Sequence, residues 1–132
     1  MTDAIHADAL EGQSLQLAVS NAMVKLYKDQ FGRGPTKART HFAGPNVLIT
    51  TLQDSMTPAE RNLVAMGEFQ RLRDTRMFFQ YASEGEFRDT VERLTGRKVW
   101  AFVSGIDTQR DVSSEVFYLD PVLPEAESGG AG

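Results

Sequence analysis

The chain of 132 residues has no cysteine, one tryptophan and two histidines. Without cysteine there are no disulfides, no thiolate metal sites and no cysteine nucleophile. That composition fits a reducing compartment. Two histidines, His6 and His41, are too few for a histidine-rich metal centre. No apolar run approaches the ~20 residues that span a bilayer, so direct membrane insertion is not expected. Residues 1–8 are acidic and lack the basic-then-apolar order of a signal peptide. A basic excess is missing too: 14 Lys and Arg stand against 18 Asp and Glu, a net charge of −4. A nucleic-acid partner is therefore not expected. The chain reads as a soluble, cytoplasmic protein.

The common catalytic patterns are also missing. There is no His-Glu-x-x-His, no Gly-x-Ser-x-Gly and no dinucleotide fingerprint. Gly32 to Lys37 superficially resembles a phosphate loop, but it follows a helix and precedes a strand, the reverse of the required order. Asp107 and Asp111 read as a solvated turn. The expectation is a non-enzyme with no catalytic residue, no metal and no cofactor.

What is present is helix and strand patterning. Residues 1–12 read as a mobile lead-in. Residues 13–30 read as a helix, with Leu15, Val19, Ala22, Met23 and Leu26 on one apolar stripe. Leu17, Val24 and Phe31 form a neighbouring line. It fits either a helix sunk deep on a sheet or contact with another subunit. Gly32, Arg33, Gly34 and Pro35 then make a fixed structural corner.

Lys37 to Phe42 and Val47 to Leu52 read as a hairpin. Thr57, Pro58 and Glu60 carry the N-cap, first-turn and capping-box chemistry of a helix start. The helical pattern runs on to Leu94, broken near Gly67 or Gly85. The strand that starts at Val99 is apolar on both faces, which calls for cover on both. Helices supply one cover, and a second copy of the chain is the simplest other. Residues 105–111 read as a loop and residues 114–119 as the last strand.

The sum is an α+β fold: helix, β-hairpin, long and breakable helix, β-hairpin. An antiparallel sheet of about four strands carries the helices on one face. Residues 13–120 form a single domain, and residues 121–132 read as a disordered tail.

One constellation is basic. Lys25, Lys28, Arg33, Lys37, Arg39 and His41 lie close in sequence, with Asp29 the only acid among them. Strand alternation puts Lys37, Arg39 and His41 on one face. Arg33, Lys37, Arg39 and His41 are the candidate anion- or partner-binding residues, since arginine offers a planar fork to carboxylate, phosphate or bicarbonate. A strand face solvated by charge, or paired with Glu60, Glu68 or Glu115, is the competing reading. Arg71, Arg73, Arg76 and Gln80 form a second basic group, read as a solvent-facing side of the long helix or as an extension of the basic surface.

The segment Phe31-Gly-Arg-Gly-Pro-Thr-Lys-Ala-Arg-Thr40 resembles the signature of the bacterial MpsC domain family, named for a Na+-translocating membrane potential-generating system. The resemblance continues through Met56 to Val64, Leu94 to Val99 and Glu115 to Leu119, covering roughly residues 13–120. It implies a small cytosolic accessory protein of a membrane system linked to cation flux and bicarbonate uptake. The implied partners are integral membrane transporter subunits, and no catalytic residues carry over.

Overall fold

The computed structural model describes residues 4–121, with side chains from Ser14 onward. The tail expected beyond residue 121 lies outside the described residues. The elements are α1 (Ala4–Phe31), β1 (Lys37–Phe42), β2 (Val47–Gln53), α2 (Pro58–Ala65), α3 (Phe69–Ala82), α4 (Glu84–Thr95), β3 (Val99–Asp107) and β4 (Val112–Leu119). The four strands are all antiparallel, in the order β1-β2-β4-β3. The α+β layout read from the sequence is the one observed.

Three boundaries differ from the sequence reading. α1 starts at Ala4 rather than Gln13. Residues 4–11 contain three alanines and neither glycine nor proline, so nothing there halts a helix. The long helical region breaks twice. Gly67 adopts a left-handed φ of 81° between α2 and α3. The second break is at Ser83, while Gly85 sits inside α4. β3 also continues through Gly105 to Asp107, part of the stretch read as loop. Pairing with Ser114, Ser113 and Val112 of β4 overrides the weak strand preference of glycine there.

The helix start read at Thr57 is present in full. The Thr57 hydroxyl accepts from the Glu60 N–H at 3.2 Å, and the Glu60 carboxylate accepts from the Thr57 N–H at 2.9 Å. Two orphan donors of α2 are thereby satisfied.

The inner face of the sheet meets α1, α3 and α4. Val19, Met23 and Tyr27, one helical turn apart on α1, close over Leu48, Leu52, Phe117 and Leu119. Phe87 and Val91 of α4 pack on Val99 and Phe102. Each such buried side chain contributes about 1.5–3 kcal/mol. A smaller cluster of Met56, Leu72 and Ile106 seats α2 and α3.

Candidate functional site

The glycine-proline corner is built by close approach. At Gly32, φ is 81° and the N–H donates to the Lys28 carbonyl at 2.9 Å, ending α1. A Cβ on Gly34 would lie 3.2 Å from Val24 Cγ1 and 3.3 Å from the Val24 carbonyl oxygen. A side chain there would press on α1 unless Val24 gave by a few tenths of an ångström.

Arg33 uses this corner to reach inward. Its Nη1 donates to the carbonyls of Asp54 (2.6 Å) and Met56 (3.0 Å), and its Nη2 to Asp54 Oδ2 at 3.1 Å. Thr36 Oγ1 donates to the same oxygen at 2.9 Å, and Arg61 holds the other. The guanidinium of Arg33, then the Thr36 hydroxyl, bring the Asp54 carboxyl down to about 2. Asp111 completes the knot by accepting the N–H groups of Ser55 and Met56, both at 3.0 Å. Asp54 and Asp111 both have left-handed φ, 61° and 57°. The end of α1, the β2–α2 connection and the β3–β4 turn are thus tied at one point. Asp111, read as part of a solvated turn, is an internal cap.

The four candidate binding residues therefore separate. Arg33 is an internal tie. Lys37, Arg39 and His41 stand on the exposed face of β1, as alternation requires, and no carboxylate among the described residues pairs with them. An open cavity of about 330 Å³ lies where Lys37, Gln53, Arg61 and Arg110 converge above Asp54 and Asp111. A second one of about 470 Å³ adjoins it between Lys37, Arg39 and Gln53. Oxyanions suit the amine and guanidinium donors on their rims.

The second basic group is not a solvent-facing side. Arg76 and Gln80 are 2% and 1% exposed. Arg76 clasps Glu60 with two bonds of 2.7 and 2.8 Å, donates to the Ser55 carbonyl at 3.1 Å, and lies 3.8 Å from the centre of the Phe31 ring. Burial pulls the Glu60 carboxyl up, but Arg76 and the Thr57 N–H bring it below its ordinary value. Arg73 alone of that helix face stays exposed together with Arg71.

A buried polar row went unread in the sequence. Thr40, Thr50, Glu115 and Ser104 are successive cross-strand partners through all four strands, on the face that meets the helices. Ser20 of α1 caps one end, 2.8 Å from Thr40, which is itself 2.8 Å from Thr50. At the other end the Glu115 carboxyl takes bonds from Ser104 (2.6 and 2.8 Å), Gln80 (2.8 and 3.1 Å) and Tyr27 (3.1 Å). Burial outweighs these bonds and pushes Glu115 up to about 8. Burial and the neighbouring Glu115 also hold the Tyr27 phenol well above its usual range. A signal was available: Glu115 is in phase with Phe117 and Leu119, and an acid in the apolar phase of a strand needs a buried partner.

Among the described residues, no helix covers the outer face of the sheet. Trp100 and Val103 there are 61% and 48% exposed. A register shift between Val99 and Ala101 turns Trp100 outward, where its ring sits 5.7 Å from that of Tyr118. The second cover expected for this strand is not supplied by the described residues of the chain itself.

A protein-family model matches this chain. It covers residues 11–121 and is described as "Na+-translocating membrane potential-generating system (MpsC)". No curated protein matches the chain, and no solved structure does.

Proposed function

The chain belongs to the MpsC family, and on that premise we propose that it is a non-enzymatic, cytoplasmic accessory subunit of a membrane potential-generating system. In this reading it acts as a homodimer beside integral membrane subunits, in a system that also serves inorganic-carbon uptake. One observation carries the reading. Asp54, Glu60, Asp111 and Glu115 are each committed to internal hydrogen bonds. The surface left for work is a bare sheet face and a basic strand. No helix among the described residues is long and apolar enough to cross a membrane, so ion passage falls to partner subunits. The test is affinity purification from native membranes in mild detergent. Recovery of a polytopic subunit with the wild type supports the reading; recovery of soluble proteins alone contradicts it.

A second reading rests on the cavity beside Lys37. There the protein is a sensor of a small oxyanion or nucleotide, held by Lys37, Arg39 and the neighbouring Arg61 and Arg110. Thermal-shift titrations with bicarbonate, phosphate and nucleotides test it. A ligand-dependent rise that disappears in Arg39→Ala supports it, and no rise removes it.

A further inference from the structure

We propose that the outer face of the sheet is the contact surface between two copies of this chain, related by a two-fold axis parallel to the strands. This deepens the homodimer reading and rests on it. The register divides that face into rows. His41, Ile49, Val116 and Val103 are successive partners across the four strands. The row beside it holds Val47, Tyr118 and Ala101, with Trp100 thrown out next to them by the register shift. These two rows are apolar except for His41 at the edge. The next row is Arg39, Thr51, Ser114 and Gly105, and the last is Lys37, Gln53, Val112 and Asp107. One half of the face is therefore apolar and the other polar. The last row ends in a cation on one edge strand and an anion on the other.

That pattern is complementary to itself under one operation. Sheets that pack face to face stay nearly aligned, about 10 Å apart. A two-fold axis along the strands keeps every row at its own level and exchanges the two edges. The apolar rows then meet apolar rows, and Lys37 faces Asp107 of the other copy. An axis across the strands reverses the rows and sets the apolar half on the polar half. Lys37 is exposed and lacks a carboxylate among the described residues, while Asp107 is partly exposed and held at 3.0 Å by Arg110 alone among side chains. Trp100 and Val103 supply the large apolar area that a lone subunit leaves in water.

The chain lacks cysteine, so introduced thiols report cleanly. The double variant Lys37→Cys/Asp107→Cys is treated with a bismaleimide of about 10 Å reach, the inter-sheet spacing. Within one subunit the two positions are three strand spacings apart, about 14 Å. The inference expects a covalent dimer from the double variant and little from either single variant. It also expects Val103→Glu to raise the dimer dissociation constant about a hundredfold or more, since a carboxylate would be buried in an apolar contact. Ile49→Glu does the same from another strand. Both residues are on the uncovered face, so each variant stays folded by circular dichroism, and its melting temperature falls only by the stabilisation that dimer formation had added. A wild-type monomer at high micromolar concentration overturns the homodimer reading and this inference together. A dimer that resists both glutamates and gives no cross-link keeps the homodimer and overturns this face. A dimer that cross-links best through Lys37→Cys alone overturns the axis.

Discussion

Gln80 of α3 and Glu115 of β4 meet in the core, the amide nitrogen lying 2.8 and 3.1 Å from the two carboxyl oxygens. Tyr27 and Ser104 close the same carboxyl from α1 and β3, and the charge of Arg76 also acts on it. Glu115 is wholly buried, and every buried side-chain nitrogen and oxygen among the described residues has a partner.

This relationship predicts an unusual pH dependence. Burial raises Glu115 from an ordinary value of 4.5 to about 8. In the unfolded chain the carboxyl ionises near its ordinary value, while the native state holds its proton to higher pH. The stabilisation is fully present below about pH 4.5 and is lost as pH rises toward 8. The loss is on the order of a few kcal/mol. Urea denaturation at several pH values measures it. Glu115→Gln is expected to flatten the slope across that window. An unchanged slope would mean that Glu115 ionises normally.

The Arg76–Glu60 clasp predicts a large effect at a position read as solvent-facing. Arg76→Ala strands a carboxylate that is 16% exposed and removes the contact with Phe31. Breaking a buried ion pair from one side costs about 3–5 kcal/mol. Glu60→Gln keeps the capping geometry, since glutamine also serves at that position, and should cost less. Chemical denaturation of both variants checks the order. A cost for Arg76→Ala within about 0.5 kcal/mol, the range of ordinary surface substitutions, would place its guanidinium in water.

Two glycines should respond with opposite signs. Gly34→Ala drives a methyl toward Val24 and its carbonyl, and overpacking of this kind costs about 1–3 kcal/mol. Gly85→Ala sits in α4 with nothing within 4 Å of the new carbon, and gains up to about 1 kcal/mol from helix propensity. Melting temperatures of the two variants decide it. A neutral Gly34→Ala would mean that the corner does not press on α1.

Much of the fold was legible because local chemistry and global packing agree. The Thr57-Pro58-Glu60 start and the β1–β2 hairpin needed only short-range signals. The break at Ser83 falls two residues before Gly85, whose weak helix preference had pointed to it, but its place was not legible: a φ of −102° is open to any residue. The site was less legible for a related reason. Arg33 and Arg39 look alike in sequence, yet Arg33 finds Asp54 twenty-one residues on, and Arg39 finds no carboxylate among the described residues. Arg76 and Gln80 have helical spacing that suits a wet face. Their partners Glu60, Ser55 and Glu115 come from elements that only the fold brings near. Charge alone does not reveal which cations are spent internally.

The account turns on the bare sheet face, and the molar mass in solution tests it most directly. Light scattering on wild type and Val103→Glu, side by side at micromolar concentration, should give twice the 14.6 kDa chain mass for the first and the chain mass for the second. Identical masses for the two proteins, whether both single or both double, would contradict it.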